Sequence, residues 1–150
     1  MNVSRIERGT ARAGRKRRAG QSLVEFAVVL PVFLLVLAGI LDFGLGLYSQ
    51  MTIINAAREG ARLGVVTTGD PTAAVDARVQ AMTGGLDKTK LTITVNCQRP
   101  SGTTFVSCAS PQWVSGDGVE VKVGYKYQML WPLAFGNQLD MSSTVQMRIE

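Results

Sequence analysis

The chain has 150 residues, sixteen Lys and Arg against eleven Asp and Glu for a formal charge of +5, and no histidine. That length holds one domain of ordinary size, and less if an apolar stretch is given to a membrane. Without histidine there is no Ser-His or Cys-His nucleophile, and neither a P-loop glycine pattern nor a GxSxG elbow occurs, so an enzyme is not expected.

A basic leader comes first. Residues 1–20 hold Arg5, Arg8, Arg12, Arg15, Lys16, Arg17 and Arg18 against Glu7 alone, and the chain after Gly20 is close to neutral. Nucleic-acid binders usually spread basic residues over a folded face and interleave aromatics. Here the charge is confined to a tail without an aromatic residue, which reads as a cytoplasmic topology signal.

The run from Phe26 to Leu41 is uncharged, and extending it through Tyr48 gives the roughly 20 residues that cross a bilayer. It is too long for the apolar core of a cleaved secretory signal, about 7 to 15 residues, and Asp42 to Tyr48 behind it does not resemble a cleavage site. Basic residues before the span place the N-terminus in the cytoplasm and the remainder outside. Pro31 lies early in the span, where a kink is expected. Helical pattern continues through "SQMTIINAAREGARLGVV", so one helix is predicted from about Ser22 to about Val66.

"TTGDP" breaks that helix, and "PTAAVDARVQAM" predicts a second, with Pro71 at its start and Ala74, Val75, Val79 and Met82 on or near one face. "LTITVNC", "GVEVKVGYKYQML" and "SSTVQMRIE" alternate with period two and predict three or four mostly antiparallel strands. "QRPSGTT" and "SPQWVSGDG" supply turns, and "LWPLAFGNQLD" reads as a partly buried connection. The expected fold is α+β. Its segments are a cytoplasmic leader over 1–20, a membrane helix over 21–48, an extracytoplasmic continuation over 49–66 and a small α+β domain over 67–150.

Two acids bracket the apolar run: Glu25 close behind its start and Asp42 close to its end. A cut after Gly20 would leave "QSLVEFAVVLP" as the new N-terminus, with Glu25 fifth. A basic leader ending in glycine, a fifth-position glutamate and an apolar helix resemble the processing pattern of type IV pilins. Together with "NAAREGAR", the stretch "GQSLVEFAVVLPVFLLVLAGILDFG" resembles the TadE-like proteins of tight-adherence pilus systems from Arg18 to about Val66. A closing strand ending "MRIE" also looks like that family, whereas the middle of the chain does not.

The resemblance implies a minor pilin or pseudopilin, a structural part of a pilus-assembly machine in the cytoplasmic membrane or a surface pilus. Its implied partners are other pilins, membrane assembly proteins and prepilin peptidase, which would cut at Gly20–Gln21. Glu25 would then neutralise the free α-amine of a neighbouring subunit. Otherwise it is a carboxylate snorkelling to the headgroups. Asp42, roughly 25 Å further along the helix, is either an ordinary interfacial acid or a contact with another pilin or assembly protein.

In "NAAREGAR", Glu59 can pair with Arg62, Arg58 and Arg62 share a face, and Ala56, Gly60 and Gly64 form a small-residue stripe. By the pilin resemblance this stripe packs on the protein's own sheet; an intersubunit seam is the alternative. Cys97 and Cys108, placed outside the membrane, are expected to form a disulfide. Without histidine or a CxxC pair no metal is expected, nor is any other cofactor or small-molecule substrate. Two other functions fit parts of this pattern: an unprocessed, signal-anchored extracytoplasmic binding protein, and a DNA-uptake pseudopilin. The near-neutral exposed half disfavours the second.

Overall fold

The computed structural model describes residues 11–102, 104–108, 113–130 and 136–150, with side chains from Gly20 onward. In chain order the elements are helix α1 (Ala11–Val66), helix α2 (Thr72–Met82), a 3-10 turn (Lys88–Lys90), and strands β1 (Leu91–Ser101), β2 (Thr104–Ser107), β3 (Gly118–Gln128) and β4 (Gln138–Arg148). The α+β class and the four-stranded antiparallel sheet match the sequence reading. Helix α1 is already formed at Ala11, the first described residue, rather than near Ser22, and the leader's Ala, Arg and Lys residues favour helix there. Pro31 sits inside α1 without ending it.

The chain divides into two compact units, Met1–Leu41 and Asp42–Glu150. In the first, no residue from Gly20 to Leu41 is buried, and large side chains such as Phe26, Phe33 and Leu35 stand exposed. Gly20–Val66 is long and apolar enough to cross a membrane, by length and composition.

The second unit holds the core. Its sheet has the order β2-β1-β3-β4 with every neighbour antiparallel. Strand β3 is central to the packing: Val119, Val121, Val123, Tyr125 and Tyr127 are buried on one face, while Lys122, Lys126 and Gln128 alternate with them and are exposed. That period-two pattern is what burying a single face of a strand requires. Ile53, Ala56, Ala57 and Ala61 of α1 and Val75 and Val79 of α2 complete the core. In α2 the burial is confined to Val75 and Val79, since Met82 is exposed. The side chain of Asp70 accepts from the backbone N–H and hydroxyl of Thr72, at 2.9 and 2.5 Å, which satisfies a free donor at the helix start.

Two turn expectations shift. β1 continues through Ser101, so most of "QRPSGTT" is strand and the chain reverses near Gly102, whose φ is +62°. Pro100 fits there for a definite reason. Cys108 N–H donates to Cys97 O, and the alternation of an antiparallel ladder then turns the Pro100 nitrogen away from β2. On that side the pairing with β3 has already ended at Gln98↔Gly118, so no ladder bond is lost. Of the "LWPLAFGNQLD" connection, residues 131–135 lie outside those described, and Gln138–Asp140 belong to β4 because pairing with β3 extends to Gln128↔Gln138.

Candidate functional site

Gly20, Gln21 and Glu25 lie on an exposed stretch of α1. A Cβ built on Gly20 would meet no atom within 4 Å, so this backbone is unobstructed on the glycine side. Gln21 Nε2 donates to Glu25 Oε1 across 3.1 Å, one helical turn away. The residue expected to begin a processed chain therefore contacts the acid expected to act in assembly. The basic side chains of residues 11–18 lie outside those described.

Asp42 is held by the far end of the sheet. Its Oδ1 accepts from the Tyr127 hydroxyl at 2.6 Å and from Leu130 N–H at 3.3 Å, and the same hydroxyl lies 3.1 Å from the Asp42 carbonyl. Burial, reinforced by the Asp42 carboxylate, pushes the Tyr127 phenol up to about 12, so at neutral pH it is protonated and acts as the donor. A charge-assisted hydrogen bond of this kind offsets part of the cost of an acid beside apolar surface. Nothing near Asp42 in the sequence signals it, because the partners follow 85 and 88 positions later.

Further along α1, the small-residue stripe lies against the molecule's own core. A Cβ on Gly60 would come within 2.8 Å of Val79 Cγ2, and one on Gly64 within 2.8 Å of Val119 Cγ1. Glycine at both positions lets the helix backbone approach α2 and β3 more closely than any side chain permits. Ala56 is fully buried, whereas Arg58 and Arg62 are exposed. Glu59 bridges the two helices, with Arg78 Nη2 of α2 at 2.9 Å and Arg62 Nη2 at 3.2 Å. Hydrogen bonds from Arg78 and then Arg62 hold its carboxyl below the usual range. Such exposed pairs orient α2 more than they stabilise it.

Residues 20–62 match the family model described as TadE-like protein. This segment is TadE-like. The TadE-like match opens on Gly20, includes Gln21, Glu25 and Asp42, and closes on Arg62, within "NAAREGAR". Neither a curated protein nor a solved structure matches the chain.

Beyond the TadE-like segment, Cys97, inside β1, and Cys108, directly after β2, are joined by a disulfide with Cα atoms 5.3 Å apart. Asp117 sits beside them, and the ligand-type atoms of the three lie within 4.8 Å of one another. This is not an available metal centre: the sulfurs are bonded to each other, and the carboxylate is already occupied. Arg99 grips it with two bonds of 2.8 Å, Nε to Oδ1 and Nη2 to Oδ2, and Val114 N–H adds a third at 3.1 Å. The Arg99 hydrogen bonds hold the Asp117 carboxyl below the ordinary aspartate range. The "SGDG" turn is thus a clip: Asp117 O also accepts from Ile149 N–H at 2.8 Å, tying the chain's end to the sheet. The turn was legible in the sequence, but the pairing with Arg99 was not.

Proposed function

We propose that this chain is a membrane-anchored structural component of a tight-adherence pilus system, a minor pilin or pseudopilin rather than an enzyme. The observation that carries the reading is overlap: the TadE-like match over residues 20–62 falls on the helix that is long and apolar enough to span a membrane. In this reading residues 1–20 stay in the cytoplasm, the span follows, and the sheet domain lies outside. Prepilin peptidase cuts between Gly20 and Gln21. Glu25 then meets the new α-amine of a neighbouring subunit in a low-dielectric setting, where an unpaired charge is costly. Partners are other pilins and membrane assembly proteins.

The test separates the two steps. Mass analysis of the N-terminus in membranes and sheared fibres should find Gln21 first, and Gly20 replaced by a bulky residue should leave full-length protein in the membrane. Glu25→Val removes an acid from an apolar helix, so an unprocessed anchor should insert as well or better. A pilin-like subunit should instead lose assembly at unchanged membrane abundance. Normal pili with Glu25→Val would sink the pairing role.

A further inference from the structure

The side chains around the Asp42 clasp include large apolar groups that stand exposed. Leu130 is 63% exposed, Leu139 45% and Phe43 70%. Leu139 is the β4 partner of Tyr127, and Leu130 donates its own N–H to Asp42, so both lie at the end of the sheet that holds this acid. Asp42 in turn follows directly on the apolar run. Residues 22–41 at about 1.5 Å each cover about 30 Å, the thickness of a hydrocarbon core, which puts Asp42 at the outer boundary of the bilayer.

We propose that the base of the sheet domain, built from Leu130, Leu139 and Phe43 around the Asp42–Tyr127 bond, is seated in the outer interface of the same membrane. Its occupant is lipid. The inference rests on reading α1 as a membrane span and extends that reading to the residues around Asp42. The hydrogen bonds fix the depth of Leu130 to that of Asp42, because a 3.3 Å contact leaves no room for separation. The acid at that depth is satisfied within the fold, receiving the Tyr127 hydroxyl and Leu130 N–H, while the exposed apolar groups face the acyl chains. A phenol with its ring in apolar surroundings and its hydroxyl bonded at a boundary is the arrangement that suits tyrosine to membrane interfaces.

The experiment measures depth directly. Full-length protein is reconstituted into phosphatidylcholine–phosphatidylglycerol vesicles and spin-labelled at Leu130→Cys or Leu139→Cys; the native cysteines, bonded to each other, do not compete. Both positions are exposed, so a label does not invade the core. Leu35→Cys, exposed in the middle of the span, is the lipid reference, and Ser115→Cys, exposed in the turn before Asp117, is the water reference. Collisions with molecular oxygen, which partitions into lipid, are compared with those of a water-soluble nickel chelate. Labels at 130 and 139 should side with Leu35, with an oxygen-to-nickel ratio several-fold above that at Ser115. If they follow Ser115 while Leu35 remains in lipid, the seating is overturned and the span stands. If Leu35 also behaves as water-exposed, the span reading falls and the seating with it. Spin–spin broadening that vanishes on dilution with unlabelled protein, without lipid contact, would show a second copy covering the patch and equally overturn the proposal.

Discussion

Two stretches of one helix, residues 20–41 and 42–66, are both apolar and solve opposite problems. The first is built from Leu, Val, Ile and Phe, and no residue in it is buried. The second replaces bulk with Ala and Gly on one face and buries that face against β3 and α2. Large aliphatic groups suit a surface that lipid will cover, since lipid conforms to any shape. Small groups suit a surface met by a rigid sheet, where contact depends on how closely two backbones can approach. Hydrophobicity alone does not distinguish the two, but side-chain volume does.

The comparison breaks most sharply if a charge enters the first stretch. Leu35→Arg should cost about 3 kcal/mol of insertion free energy, read as loss of the full chain from the membrane fraction. The same substitution would be unremarkable if residues 20–41 were a soluble stalk. A volume test sharpens it. Gly60→Leu forces atoms into a site where even a Cβ lies 2.8 Å from Val79 and should destabilise the domain by about 1–3 kcal/mol. Gly39→Leu, where a Cβ meets nothing within 4 Å, should leave domain unfolding unchanged. Denaturant unfolding of both variants in detergent checks the pair, and equal effects would remove the distinction between the stretches.

A smaller effect is expected where the two stretches join. Tyr127→Phe deletes the donor to Asp42 and should cost about 1–2 kcal/mol, since Leu130 N–H still serves the carboxylate. The smallest concerns Asp117, far along the sheet from Asp42. Its folded carboxyl titrates below the unfolded value, so its contribution is complete above about pH 4 and is lost as pH falls through the depressed folded value. Thermal unfolding of the wild type should therefore become more favourable on acidification in that window, read as a falling Tm, with a shallower slope for Asp117→Asn.

How much of this was legible depended on sequence distance. The apolar run, the breaker at "TTGDP" and the alternation of "GVEVKVGYKYQ" are local, and each is set by a periodicity that neighbouring residues reveal. The disulfide followed from there being two cysteines and a topology. Asp42 was ambiguous because its donors come from the end of β3 and beyond, and Asp117 looked like an ordinary turn residue because Arg99 reaches it from another strand. Both required the register of the sheet, which no local pattern encodes. The start of β4 was hidden for a similar reason: Gln138 and Leu139 are strand because Gln128 and Tyr127 pair with them.

The pairing of α1 with β3 has a mechanical side. Asp42 meets Tyr127 at one end of β3, and Gly64 meets Val119 at the other, so from Asp42 to Val66 the helix runs antiparallel to the strand. A pull on the helix from its N-terminal side is then directed along this contact, not across it. Such a load is shear. The Tyr127 bond and the interlocked Gly60 and Gly64 contacts with their valines must yield together, whereas peeling would break them one at a time. A chain pulled by the N-terminal side of this helix keeps its domain attached until the whole seam gives way at once.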